Sequence, residues 1–372
     1  MHSVVISGTG LYQPEHTITN AELVESFNQY VDQENARHAA EIAAGTREPL
    51  TYSSVEFIEK ASGIQQRYVL EKSGILDPTR MYPRFTERAD DQLSLMAEIA
   101  VAAGQEALRC AGKTGADVDA VLCAAANMQR AYPAMAIEIQ QALGAGGYGF
   151  DMNVACSSAT FAIEQAVNAV RTGSAKCVLV VNPEITSGHQ AWNDRDCHFI
   201  FGDVCTAVVV ERAESATAAD QWDVLGTRLV TQFSNNIRNN FGFLNRSEDS
   251  DPNARDKTFR QEGRKVFKEV VPIAAAHIEG HLADLGHAPT AVRRFWLHQA
   301  NQGMNQLVIK KLVGDASPDV APLILDEFAN TASAGSIIAF HKHRADLVSG
   351  DMGVICSFGA GYSVGSVVVC KR

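Results

Sequence analysis

A chain of 372 residues buries a substantial core as one large domain or as two of about 150 to 200 residues each, and it is too long for a single small module. Hydrophobic residues make up 46% and charged ones 20%, which describes a compact globular protein without a disordered tail. The formal net charge of −11 would set an excess of carboxylates against a phosphate backbone, so broad nucleic-acid binding is disfavoured.

The first stretch, Val4-Val-Ile-Ser-Gly-Thr-Gly, reads as a strand and lacks the basic region and apolar run of a secretion signal; Asn20 reads as the cap of a short helix. Residues 27–55 are polar and without a clear period, partly helical over Asn28–Arg47, and read as an insertion or lid. Asp91–Arg109 predicts an amphipathic helix with an acidic start, Asp119–Ala125 a buried strand, and Pro133–Leu143 a helix with proline in its first turn. A central strand then ends at Met152. The small-residue turn Asn153-Val-Ala-Cys156-Ser-Ser follows, and a long helix runs from it to Arg171. The apolar strand from Cys177 to Asn182 comes next, and after Phe201-Gly-Asp203 the strand Thr206–Glu211.

This alternation calls for a mostly parallel sheet covered by helices. The second half repeats the rhythm: a strand Trp222–Leu229, a loop rich in Asn and Asp, a helix Glu262–Leu285, a strand Arg294–His298, helices Asn301–Val313 and Thr331–Asp346, and closing strands Gly353–Ser357 and Ser363–Cys370. The expected division is 1–214 and 215–372, two halves of similar pattern and weak residue-level similarity, as an internal duplication would leave. No apolar run is long enough to span a bilayer.

The junction at Cys156 carries the chemical interest. A thiol at a helix N-terminus faces unpaired backbone N–H groups and the positive end of the helix dipole, which favours thiolate and hence a nucleophile. The alternative is one more small buried hydrophobe among eight cysteines. Those cysteines show neither zinc-site spacing nor a disulfide framework, which points to reduced thiols in cytoplasm. Taken singly, His298 reads as a satisfied core histidine and Asn330 as a helix cap, while His341 and His343 read as surface or helix-face residues. Residues 255–268 carry Arg255, Lys257, Arg260, Arg264, Lys265 and Lys268 against Asp256 and Glu262, a run that by itself means a solvated face.

Three separated motifs change that balance. Asn153-Val-Ala-Cys156-Ser-Ser, Trp296-Leu-His298-Gln-Ala-Asn301 and Phe328-Ala-Asn330-Thr-Ala-Ser resemble the Cys, His and Asn motifs of the β-ketoacyl-acyl-carrier-protein synthase III family of thiolase-fold condensing enzymes. Phe201-Gly-Asp203 and Phe358-Gly-Ala-Gly-Tyr-Ser-Val-Gly-Ser366 match in place and order, so the resemblance covers nearly the whole chain. It implies a thiolase-like five-layered α/β/α/β/α fold, a homodimer of obligate type, and decarboxylative Claisen condensation of an acyl-CoA primer with malonyl-acyl-carrier protein in fatty-acid biosynthesis, without metal or organic cofactor. On that reading Cys156 attacks the primer thioester, and the backbone N–H groups of Cys156 and Ala360 form the oxyanion hole. His298 and Asn330 donate to the enolate oxygen. Phe57, Arg195 and Asn301 lie where the family binds CoA. Arg264, Lys265 and Lys268, with Lys310 and Lys311, lie where it docks the carrier protein.

The sequence also departs from the family pattern. Ala61 stands where an arginine contacts CoA, and Gln302-Gly303 replace an arginine after Asn301. With the extra residues 27–55, these changes fit a medium-chain branch, the β-ketodecanoyl synthase type. Rival readings are a papain-like hydrolase, whose Cys-Gly-Ser-Cys-Trp signature is missing, and a degradative thiolase, whose second cysteine would fall at Ser357. Same-fold alternatives are a secondary-metabolite ketosynthase and a non-catalytic binding protein.

Overall fold

The computed structural model describes residues 1–251 and 253–372. The chain begins with β1 (Val4–Tyr12), β2 (His16–Thr19), α1 (Asn20–Arg37), α2 (Ala39–Ala43), α3 (Val55–Ser62) and β3 (Gln66–Val69). It continues through α4 (Leu95–Ala111), β4 (Ala120–Ala124), α5 (Met135–Leu143), β5 (Tyr148–Met152), α6 (Ser158–Thr172), β6 (Cys177–Glu184) and β7 (Val204–Arg212). After β8 (Trp222–Ser234) and the short pair β9 (Ile237–Arg238) and β10 (Arg260–Gln261) come α7 (Gly263–Asp284), β11 (Arg294–Leu297), α8 (Gln302–Val313), α9 (Leu325–Phe328), α10 (Gly335–Lys342), β12 (Met352–Gly359) and β13 (Gly361–Lys371).

Helix starts differ from expectation at four places: α5 begins at Met135 rather than Pro133, α10 at Gly335 rather than Thr331, and the other two have a capping cause. Thr19, not Asn20, caps α1 through a capping box with Glu22, and the helix runs 18 residues. Asn20 is buried, where its amide donates to Ile64 O at 2.7 Å. Helix α4 starts not at Asp91 but after Ser94, whose hydroxyl accepts the Ala97 N–H at 3.2 Å.

Nine strands form one sheet in the order β11-β12-β13-β8-β1-β7-β6-β4-β5. It is mixed rather than mostly parallel. Pairs β4–β5, β4–β6 and β11–β12 are parallel, whereas β1–β7, β6–β7, β12–β13 and β13–β8 are antiparallel. The cause lies in the connections: between β6 and β7 the chain has no crossover helix, and between β12 and β13 it turns back at Ala360, so neither pair can run parallel. Strands from before residue 214 and strands from after it occupy opposite arms of the sheet, joined where Val5 and Ile6 of β1 meet Asp223 and Trp222 of β8.

Helices α6 and α10 lie between the arms. Val178, Val180 and Val208 of one arm and Trp296, Ile355 and Val367 of the other share a core with Ile163 and Val167 of α6 and Ile337 and Phe340 of α10. On the outer face of the first arm, Leu179 and Val181 pack with α4 and α5; on that of the second, Phe295, Val354 and Cys356 pack with α7 and α8. Five layers result, and β6 is buried on both faces, which is why its sequence is a continuous apolar run rather than an alternating one. The strand before the cysteine turn, β5, is not central. It is the edge of the sheet, with Tyr148 42% and Phe150 40% exposed.

Candidate active site

Cys156 sits in a single 3-10 turn, Ala155–Ser157, from which α6 departs. Asn153 Oδ1 accepts the Ala155 N–H at 2.9 Å, and Ala155 adopts a left-handed φ of 46° that turns the chain sharply towards the cysteine. The backbone N–H groups of Cys156 and Ala360 lie near the sulfur and favour its charged form. Ala360 keeps the negative φ an alanine requires. Beside them Gly359 leaves no room for a side chain: a Cβ there would fall 2.6 Å from Cys156 Cβ and 3.1 Å from its sulfur. The expectation of a favoured thiolate does not hold in the free protein. Burial pushes the Cys156 thiol up to about 12 and the charge of Glu184 adds to it, outweighing the two N–H groups.

His298 continues from β11, where its N–H donates to Cys356 O at 2.8 Å. Its ring is buried edge-on to Phe358, with Nδ1 unpaired and the Ala332 backbone within hydrogen-bonding reach. Burial pushes its pKa down to about 4, so the imidazole is neutral at physiological pH and carries one N–H to donate. Asn330 is stitched to the first half of the chain. Its N–H donates to Ile200 O at 2.9 Å and its carbonyl accepts the Gly202 N–H at 3.1 Å. Gly202 is required by space, since a Cβ would lie 2.6 Å from Phe328 O, and Asp203 next to it accepts the N–H groups of Leu70 and Ser187. The Phe201-Gly-Asp203 motif is thereby a clasp that holds the Asn330 loop.

The turn after Asn330 repeats the turn after Asn153. Asn330 Oδ1 accepts the Ala332 N–H at 2.9 Å, Ala332 has φ 46°, and the 3-10 turn Ala332–Ala334 leads into α10. Ser333 therefore occupies the place that Cys156 has in the first half. Glu184, which sequence reasoning passed over, ends β6 and binds this second turn: Ser333 donates to it through N–H and hydroxyl, and Ala126 N–H donates to both its oxygens at 3.1 Å. A carboxylate three residues past the apolar run Cys177–Val181 was the available signal. Burial raises its pKa to about 7.

The remaining site residues lie farther out. Arg195 stacks on Phe57 with its guanidinium carbon 3.8 Å from the ring centroid, and its Nε donates to Tyr52 O at 2.7 Å. The 44–54 stretch folds back along α1, where paired bonds from Asn28 to Ser53 and from Asn35 to Leu50 fasten it. Asn301 caps α8 by accepting the Gly303 N–H at 2.9 Å, and it donates to Ala61 O at 2.7 Å, so both ends of its amide are engaged within the protein. Arg264, Lys265 and Lys268 are exposed on α7 and Lys310 and Lys311 on the adjoining α8. Arg255 and Lys257 do not share that face: Arg255 pairs with Asp194 at 2.6 Å, and Lys257 is buried against Glu248 at 2.5 Å. His341 and His343 also serve internally, His341 bonding Thr9 Oγ1 at 2.8 Å and His343 O accepting from Arg294 and Trp296. Ser357 Oγ meets Ser336 Oγ at 2.9 Å inside the middle layer while Cys356 faces the outer core. A cavity of about 1580 Å³ is walled by Met128, Ile185, Met81, Phe85 and Trp192 among others, and Cys156, His298 and Asn330 are not part of its wall.

Residues 150–232 match the family model of 3-oxoacyl-[acyl-carrier-protein] synthase III, and residues 282–371 that of its C-terminal part. The chain is 59% identical over 350 residues to a beta-ketodecanoyl-[acyl-carrier-protein] synthase of Pseudomonas aeruginosa, covering 94% of this chain and 100% of that one. It is 31% identical over 328 residues to a beta-ketoacyl-[acyl-carrier-protein] synthase III of Mesorhizobium japonicum, covering 87% and 92%. Among solved structures, 3-oxoacyl-[acyl-carrier-protein] synthase III from Aquifex aeolicus superposes with a TM-score of 0.76 at 25% identity, covering 99% of each chain. The priming beta-ketosynthase of the R1128 polyketide pathway gives 0.78 at 22% identity, covering 99% and 96%, a likeness of fold.

Proposed function

The chain belongs to the 3-oxoacyl-[acyl-carrier-protein] synthase III family of condensing acyltransferases with a thiolase-like fold, and we propose that it condenses a medium-chain acyl-CoA with malonyl-acyl-carrier protein through an acyl-Cys156 intermediate. The position of Cys156 between Gly359 and the start of α6, with the backbone N–H groups of Cys156 and Ala360 near its sulfur and Asn330 Oδ1 holding the Ala332 turn beside His298, supports this most directly.

Cys156 gives up its proton and attacks the primer carbonyl. The oxygen takes the negative charge beside the two N–H groups, and the CoA thiolate leaves and takes up the proton. Malonyl-carrier protein then loses carbon dioxide, and neutral His298 and Asn330 donate hydrogen bonds to the enolate oxygen that forms. The enolate carbon attacks the acyl-Cys156 carbonyl and expels the thiolate, leaving a β-ketoacyl chain two carbons longer on the carrier. The chemistry of these steps asks for no metal or organic cofactor. A ten-carbon product, as in the Pseudomonas relative's name, takes an eight-carbon primer.

Phe57 and Arg195 are assigned to the adenine end of CoA, with Asn301 bracing α8 against α3 below them. The exposed Arg264, Lys265 and Lys268, with Lys310 and Lys311, form a basic face for an acidic carrier protein. Edge strand β5, with Tyr148 and Phe150 stacked outward, is assigned to pairing with a second copy in a homodimer. The 1–214 and 215–372 division follows the two arms of the sheet. Eight free cysteines suit a cytoplasmic site, where thiols stay reduced, and among the described residues no helix is long and apolar enough to cross a membrane. Mass spectrometry after mixing with a panel of acyl-CoAs tests the reading: one acyl mass should appear on Cys156 and vanish in Cys156→Ser. Acyl transfer retained in that variant would remove the mechanism.

A further inference from the structure

Glu184 is 1% exposed, and the partners that bind its carboxylate are neutral. They link the two sides of the reaction centre. On the nucleophile's side, Asn153 Nδ2 donates to Ala126 O at 2.8 Å while Asn153 Oδ1 holds Ala155, and Ala126 N–H donates to Glu184. On the other side Ser333 binds Glu184 directly, next to Ala332, whose N–H holds Asn330 Oδ1 and whose backbone lies against the His298 ring. The amide oxygen of Asn330 is spent on this turn, which leaves its NH2 end as the donor.

The internal repeat explains why a carboxylate is there. Gly359 ends β12 beside Cys156 and leaves space over the sulfur, whereas Glu184 ends β6 beside Ser333, at the matching place in the other half, and fills that space. Its oxygens take the N–H and hydroxyl of a turn built like the nucleophile's own. Oε1 alone accepts from the Ala126 N–H, the Ser333 N–H and the Ser333 hydroxyl, and Oε2 accepts only from the Ala126 N–H, so a glutamine that kept its oxygen at Oε1 would set its NH2 against the Ala126 donor and weaken the link to the nucleophile's side.

We propose that Glu184 is a positioning residue for the condensation step: its carboxylate locks the Asn330–Ser333 turn to the Cys156 turn, so that His298 and Asn330 meet the enolate when the acyl group is on Cys156. This rests on the assignments of Cys156, His298 and Asn330 made above. Its charge also reaches the nucleophile, for the titratable groups that feel it are Cys156, Cys123, Cys205 and Asp203.

Three measurements on the full chain test it: octanoyl mass gained from octanoyl-CoA, carbon dioxide released from malonyl-carrier protein, and the pH dependence of Cys156 alkylation by iodoacetamide. Glu184→Gln should load octanoyl at least as well as the unaltered protein and release carbon dioxide roughly 10- to 100-fold more slowly, in kcat rather than KM. Its alkylation profile should move to lower pH, because a negative charge near the thiol is gone. Ser333→Ala keeps the carboxylate and should slow release in the same sense with the alkylation profile unmoved. Should Glu184→Gln fail to fold, Ser333→Ala decides alone. Release in Ser333→Ala within roughly twofold of the unaltered protein, or loading and release falling by one factor in either variant, overturns the inference. Absence of any acyl mass on unaltered Cys156 instead overturns the assignments beneath it.

Discussion

At the residue scale, the thiol is the group whose behaviour the surroundings change most. Because burial raises Cys156 to about 12, its thiolate fraction in the free protein is small at neutral pH and grows roughly tenfold per pH unit. Alkylation of Cys156, followed on its own peptide, should therefore rise without a plateau from pH 7 to pH 10; a plateau near pH 7 would contradict the raised value. In the proposed mechanism the neutral imidazole of His298 and the amide of Asn330 act only once charge develops on the malonyl unit. His298→Ala or Asn330→Ala should accordingly cost roughly 10²- to 10³-fold in carbon dioxide release and little in acyl loading. Equal losses in the two steps would end that division of labour. Gly359→Ala would drive a methyl into the sulfur at 3.1 Å and should abolish loading in a protein that still folds, as judged by circular dichroism.

At the element scale, α7 and α8 present the basic face while the 44–54 stretch closes on Arg195. Exposed charges steer association and are screened by salt, so exchanging Arg264, Lys265 and Lys268 for glutamate should raise KM for malonyl-carrier protein several-fold at low salt and leave acylation by acyl-CoA unchanged. Unaltered carrier kinetics at low salt would return these residues to a solvated helix face. On the proposed reading Ala61 lacks the phosphate contact of an arginine, and burial of a longer acyl tail offsets that at roughly 0.8 kcal/mol per methylene. Octanoyl-CoA should therefore show a higher kcat/KM than acetyl-CoA, and the opposite ranking would exclude a medium-chain primer.

At the scale of the whole molecule, folding buries histidines in neutral form. Burial lowers His189, His277, His281 and His298 to about 4 and His198 to about 3. Each thereby contributes stability that is present above the ordinary value near 6.5 and lost as the pH falls towards 4. Glu184 and Asp203, raised to about 7 and about 6, work in the opposite sense, since their contribution is present at low pH and lost as the pH rises through those values. Five groups outweigh two, so the urea midpoint should be lower at pH 5 than at pH 7. A midpoint unchanged between them would show that these histidines are not held neutral.

The order of elements and the residues of the candidate site were legible in the sequence because both are written locally. Periodicity marks strands and helices, and Cys156, His298 and Asn330 each stand in a short motif at the end of an element. Strand direction was not legible: the general alternation of strands and helices suggested a mostly parallel sheet, whereas the connection between β6 and β7 holds only a 3-10 turn and the pair is antiparallel. Nor was the state of the thiol, because a helix start signals a thiolate locally, whereas burial by the folded chain, with Gly359 packed against the sulfur, and the charge of Glu184 oppose it from positions distant in the chain. The repeat between Asn153–Ser157 and Asn330–Ala334 was also hidden. Both segments read Asn-x-Ala before Cys156 or Ser333, but so short a match carries no structural meaning until the shared backbone angles and asparagine-to-alanine bond are seen, and only the folded chain links the two turns through one buried carboxylate.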